Sequence, residues 1–259
     1  MIKLQKDKNV GKVVYIVEGN KTEIELLSHI FTSILDYTLI QKTRVDLDPI
    51  IKYESKVNHF SKIYLINTKN SNLSSISDLS GREYLDNVYK QLFETFHIDL
   101  SDAATYYIFD RDPGSNRPQE CKSLMDLLKN SRDNGEEANG LLLLSYPAIE
   151  AYLISGSNQI EIEKCSSAKQ LKEVVRGDEY KISGFKEENI VSACAVMLNS
   201  IKDIAGRRLR EKDLDDFREL SLTIFQKEQN LWMQEHIFCI LSLLSVSFLD
   251  LGILIEETT

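Results

Sequence analysis

Two hydrophobic patterns alternate along the first 156 residues. Residues 12–17 (KVVYIV) are a short β-branched and aromatic run that ends in Glu-Gly-Asn, and beyond it Ile24, Leu27, Ile30, Phe31 and Ile34 recur at spacings of three and four. The first pattern predicts a strand, and the second the core-facing stripe of a helix. Further strands are predicted at 44–51, at 62–66 (KIYLI), at 105–109 (TYYIF) and at 141–144 (LLLL). Helices are expected over 83–96, 120–129 and 148–154, and a loop rich in Ser and Asn over 67–80. Strands that read as unbroken apolar runs are buried on both faces, and their separation by helices predicts an α/β fold, a mostly parallel sheet flanked by helices.

Beyond residue 156 strand-like runs give way to helical periodicity. Residues 186–206 predict one helix stopped by glycine, and 213–251 one long or two shorter helices. The pattern therefore divides the chain into an α/β domain, residues 1–156, and a helical C-terminal region, 157–259. The most apolar stretch, 237–255, is broken by three serines, Asp250 and Gly252, which predicts a buried or interface helix in preference to a membrane span. Within 231–254 the apolar side chains Leu231, Phe238, Ile240, Leu241, Leu243, Leu244, Phe248 and Leu249 spread wider than one stripe. A helix apolar on most sides must be covered on most sides, either in the domain or against another chain, and self-association or a docked partner is the hypothesis there.

Composition narrows the class. With 42% hydrophobic and 27% charged residues but only 11 glycines and 4 prolines among 259 residues, the chain has the apolar surface a folded core needs and is neither disordered nor fibrous. The formal charge of −9 repels a polyanion unless the basic residues gather on one face. Cys121, Cys165, Cys194 and Cys239 are scattered, with no Cys-x-x-Cys pair, which argues against a structural zinc and a disulfide framework and for a reducing, cytoplasmic setting. The polar N-terminal segment lacks the apolar run of a signal peptide. No Walker, Rossmann or serine-nucleophile signature occurs.

In an open parallel sheet, ligands bind beyond the carboxyl ends of the strands. Three predicted strands lead into polar segments there: Glu18-Gly19-Asn20-Lys21-Thr22-Glu23, Asp110-Arg111-Asp112, and Ser145-Tyr146-Pro147-Ala148-Ile149-Glu150. Each has an ordinary structural explanation, as helix-capping punctuation, a turn and a solvated helix acid. Their conjunction carries more weight. Carboxylates converging from three strand ends repel one another unless a divalent cation occupies the site, and magnesium suits an all-oxygen donor set. Asp110 and Asp112, two apart, face the same side of an extended segment, whereas Arg111 points away and is expected to form a salt bridge.

These residues resemble the Toprim family found in topoisomerases, bacterial primases, small maturation ribonucleases and OLD-type nucleases. The resemblance lies in VVYIVEGNKTEIELL, with Glu18, Gly19 and Glu23, and in YYIFDRDPGS, with Asp110 and Asp112. With Thr22-Glu23 and SYPAIEAYLIS, which holds Glu150, the chain is similar to the Toprim nucleases of bacterial anti-phage defence, the RloB-like proteins and AriB of the PARIS system. It covers residues 12–156 and implies an insertion between Glu18 and Asp110, at 67–80 and the helix after it.

The resemblance implies phosphodiester cleavage assisted by Mg2+, or Mn2+ in its place. Glu18, Asp110 and Asp112 would hold the metal, and Glu23 and Glu150 would complete a second site or orient the attacking water. It also implies an ATPase partner that senses infection and leaves the polymer open between DNA and RNA, tRNA included. Candidate phosphate contacts are Lys181, Lys169 and Lys172, and the dense basic run Arg207, Arg208, Arg210 and Lys212, whose alternative role is to complement a helix C-terminus. The rival expectation is a catalytically silent Toprim subunit that scaffolds a partner ATPase.

Overall fold

A computed structural model describes residues 1–19, 21–45, 48–67, 81–100, 102–112, 117–132, 140–157 and 162–257, without the side chains of 44, 45, 48, 49 and 95. The chain is α/β. Its strands are β1 (Ile2–Leu4), β2 (Lys12–Val17), β3 (Tyr37–Val45), β4 (Asp48–Ser55), β5 (Lys62–Asn67), β6 (Ala103–Asp110), β7 (Lys129–Asn130), β8 (Gly140–Tyr146), β9 (Lys164–Cys165), β10 (Phe238–Cys239), β11 (Leu241–Ser242) and β12 (Leu254–Glu256). Its α-helices are α1 (Thr22–His29), α2 (Gly81–Lys90), α3 (Pro118–Leu127), α4 (Glu150–Gly156), α5 (Ala168–Val174), α6 (Glu187–Ala205), α7 (Glu211–Asp215), α8 (Arg218–Glu235) and α9 (Leu244–Asp250). The main sheet has the order β11-β8-β6-β2-β5-β4-β3, with β7 also pairing β8.

Two compact units divide the chain: Asn9–Ile108 with Pro113–Leu142, and Met1–Lys8 with Phe109–Asp112 and Leu143–Thr259. The division is not the single boundary near 156 that periodicity suggests. Periodicity reads the character of consecutive residues, whereas compactness follows pairings between segments far apart in sequence.

In the first unit, β2 lies between β5 and β6 and runs parallel to both, with Val17 opposite Asn67 and Ile108. Val13 through Val17 are fully buried, as expected of a central strand covered on both faces. The stripe after β2 becomes α1 and a π-helical turn at Ile30–Ile34, and its buried residues Leu26, Leu27, Ile30, Phe31 and Ile34 face the sheet core. Tyr15 packs at 5.3 Å from Phe31 and 5.2 Å from Tyr106, and Phe31 meets Tyr53 edge-on at 5.4 Å. The strand expected at 44–51 is two strands: β3 ends and β4 begins inside that range, and the pair is antiparallel. The loop residues 68–80, expected as part of an insertion, lie outside the described residues.

In the second unit, α6 runs its full expected length and ends at Gly206 with φ +72°, the left-handed stop that glycine adopts without a Cβ penalty. Strand-like segments do not vanish here. β1 pairs β12, β9 pairs β10, and β11 pairs β8, all antiparallel. The apolar stretch 237–255 is therefore not one helix but β10, β11, α9 and β12 in turn. Its interrupting serines are satisfied inside the unit: Ser242 Oγ meets Ser145 Oγ at 2.8 Å and Ser247 Oγ donates to the Leu244 carbonyl at 2.8 Å. Phe238, Ile240, Leu241, Leu243, Leu244, Phe248 and Leu254 are buried within the chain. That apolar run therefore does not itself call for a second chain. Among the described residues no helix is long and apolar enough to cross a membrane.

Candidate functional site

The turn after β2 positions the first acids. Glu18 follows the last paired residue of β2, and the Gly19 carbonyl accepts a 3.2 Å hydrogen bond from Asn67 Nδ2. A Cβ on Gly19 would lie 2.1 Å from both carboxylate oxygens of Glu23, so the missing side chain is what lets that carboxylate lie against the turn. Glu23, in the first turn of α1, is buried at 7% exposure and benefits from the positive end of the helix dipole. The Tyr84 hydroxyl on α2 is buried without a hydrogen-bond partner among the described residues. Burial, and after it the Glu18 charge, push the Tyr84 phenol well above its ordinary value.

Because the obstructing atoms end a flexible side chain, Gly19→Ala is expected to cost less than about 1 kcal/mol of stability while displacing the Glu23 carboxylate. Urea unfolding together with a crystal structure of the variant checks this. A Glu23 carboxylate left in place would refute the cradle.

The second unit holds the other acids. Strand β6 continues through Asp110, whose Oδ1 accepts the Ile149 N–H at 2.8 Å, and the Arg111 N–H donates to the Ser145 carbonyl at 2.8 Å. Two hydrogen bonds thus join the Asp-x-Asp segment to the Ser145–Glu150 turn, two of the three polar segments that the sequence singled out. Glu150 is not a solvated helix acid: it is 2% exposed, and every residue of α4 is buried. Arg111 is 1% exposed, its guanidinium 5.1 Å over the Phe225 ring and hydrogen-bonded to Gln229 Oε1, both on α8. An amide and an aromatic face on α8 thus hold the guanidinium, contacts that the sequence did not indicate.

The donor chemistry fits a hard cation. Glu18 after β2 and Asp110 at the end of β6 are hard oxygen donors, and magnesium is commonly held by one or two carboxylates with water and substrate phosphate. Among the described residues no three His, Cys, Asp or Glu side chains group as a metal site. Burial pushes three thiols up, Cys165 to about 11 and Cys194 and Cys239 to about 12, which disfavours the thiolate that a soft ligand or nucleophile needs.

The basic candidates are spread over the second unit. Lys169 and Lys172 are exposed on α5, and Lys181 pairs with Asp178 at 2.7 Å. Arg207 and Arg210 converge on Asp213 at 2.6 and 3.1 Å. Burial alone would raise the Asp213 carboxyl, but these hydrogen bonds and the Arg207 charge hold it down at about 2. Two cations of the dense run thus fasten the turn between α6 and α7. Arg208 is exposed and, among the described residues, in no ion pair.

Sequence reasoning missed Glu228. It is 1% exposed on α8, where Oε2 accepts the Cys239 N–H at 3.0 Å. A signal existed: Ser221, Ile224, Phe225 and Glu228 recur at three and four, placing the acid on the buried stripe. The same spacing, in Tyr84, Leu85 and Val88, places Tyr84 on the buried stripe of α2. No protein-family model matches this chain, and neither a curated protein nor a solved structure was found similar to it.

Proposed function

We propose that this protein is a magnesium-dependent nuclease of the Toprim type that cleaves phosphodiester bonds in DNA or RNA, tRNA included, as an effector of prokaryotic anti-phage defence with an ATPase partner. The observation that carries this reading is the register of β2 and β6. The strands run parallel with Val17 opposite Ile108, so Glu18 follows one paired strand by one residue and Asp110 follows the other by two. Parallel strands deliver the residues that follow them to the same edge of a sheet, where α/β proteins bind ligands.

In this reading Glu18, Asp110 and Asp112 hold Mg2+. The bound metal supplies Lewis-acid polarisation of the phosphate and lowers the pKa of a water. Gly19 leaves room for Glu23 to orient that water or support a second ion, and Glu150 serves the same end. The Asp110 carboxylate is aimed by the Ile149 N–H. Arg208 is an exposed cation of its run, in no ion pair among the described residues, with Lys181, Arg207 and Arg210 available once their ion pairs open.

Purified protein tested on plasmid, linear and single-stranded DNA and total tRNA should cut one of them only with Mg2+ or Mn2+. Asp110→Asn and Glu18→Gln should each lower cleavage by about a hundredfold or more. Magnesium should also raise the melting midpoint of wild type but not of these variants. Inert wild type with a midpoint indifferent to magnesium would favour the silent scaffold instead.

A further inference from the structure

We infer that Arg111 is a positioning residue that anchors the Asp110–Asp112 segment to helix α8 through Gln229 and Phe225, making α8 part of the apparatus that sets the metal-holding carboxylates. The inference rests on the proposed function for its consequence, but its geometry stands alone.

An arginine with 1% exposure between two aspartates at a strand end is unusual, since a buried cation is costly unless held by hydrogen bonds or a π face. Here the guanidinium has both, Gln229 Oε1 and the Phe225 ring at 5.1 Å. The backbone N–H of Arg111 is fixed by the Ser145 carbonyl at 2.8 Å. Strand β8, which carries Ser145, is in turn held by β11, with Ser242 opposite Ser145 and their hydroxyls 2.8 Å apart.

The neighbour of Gln229, Glu228, accepts the N–H of Cys239 at 3.0 Å, at the start of the β10–β11 segment. Consecutive residues of one helix thus hold both the Asp-x-Asp segment and the segment that pairs with β8. A planar guanidinium seated on a ring and an amide permits little rotation of the residue between the two aspartates. Asp110 and Asp112 consequently leave the strand in a fixed direction.

Hydrogen exchange and metal titration on the full chain separate this inference from the nuclease reading. Gln229→Met and Arg111→Met are compared with wild type, with Arg111→Lys as the conservative variant and Asp110→Asn as the metal-site control. Exchange is expected to speed about tenfold at residues 109–112 and at the Ile149 amide in both Met variants, with β5 unchanged. The Lys variant should fall between them and wild type, because it keeps the charge but loses the planar fork.

Affinity for Mg2+, read by calorimetry, should weaken about tenfold in the Met variants while their melting midpoints without metal stay near that of Arg111→Lys. Unchanged exchange at 109–112 and Ile149 overturns the anchor whatever the metal does. Faster exchange with Mg2+ affinity equal to wild type overturns the positioning role. A wild type that binds no Mg2+ removes the metal reading and with it the positioning role, while the exchange result still decides the anchor.

Discussion

Glu228→Gln is expected to abolish a pH-dependent loss of stability of about 3 kcal/mol. Burial is the main influence on this carboxyl and raises it to about 7, against the opposing hydrogen bonds from Cys239 and the charge of Lys164. Cys165, paired across the same ribbon, feels the Glu228 charge in turn, and Glu163 adds a further negative charge near Cys239. Because the folded value lies above the ordinary 4.5, the fold binds the proton more tightly than the unfolded chain does. The stabilisation is therefore fully present below pH 4.5 and is lost as pH rises through about 7. With 1% exposure, solvent screening does little to soften the effect.

Glutamine keeps an oxygen for the Cys239 N–H and has no charge to bury. Urea unfolding between pH 4 and pH 9 should show wild-type stability falling relative to the variant by about 3 kcal/mol. Curves that run parallel over that interval would show that Glu228 titrates as an ordinary carboxylate and that its burial is not maintained in solution.

Gly140→Ala is expected to destabilise the first unit by about 4 kcal/mol, combining backbone strain and overpacking at roughly 1–3 kcal/mol each. Gly140 starts β8 with φ +150°, a conformation that residues with a Cβ rarely adopt. A Cβ there would lie 2.6 Å from the Tyr107 ring and 3.1 Å from Leu128. Tyr107 is fully buried on β6 and Leu128 is 2% exposed, so neither can swing into solvent to make room. Gly184 gives the control, since the Cβ of an alanine there meets nothing within 4 Å. Chemical denaturation of the two variants checks the difference. A loss below about 1 kcal/mol for Gly140→Ala would mean that the ring and the glycine do not pack as described.

The acids were legible because each follows a strand whose apolar run is unmistakable. Residues 12–17, 62–66, 105–109 and 141–144 all fall within observed strands, and Gly206 ends α6 where the periodicity stops. What surrounds those acids was not legible. Arg111 reads as a salt-bridging residue that points away from the aspartates, and nothing local indicates its contacts with Phe225 and Gln229, more than a hundred positions later. Glu150 has a solvated helix acid as its ordinary reading and Glu228 was passed over, yet both are buried. The 44–51 range looked like one strand because apolar alternation is the same on both arms of a hairpin. The 237–255 range looked like one helix because a run apolar on every side has no period to mark its breaks.

The sequence by itself determined the α/β class, the order of the central strands and helices, and the placement of Glu18 and Asp110 just at strand ends. These follow from local side-chain periodicity and from backbone preferences that operate over a few residues. The tertiary structure alone decided that the C-terminal apolar run breaks into β10, β11, α9 and β12, that Asp110 meets the Ile149 amide, and that Arg111 and Glu228 are withdrawn from water. Desolvation and strand pairing depend on which distant segments come to cover a residue, and that information belongs to the packed chain as a whole.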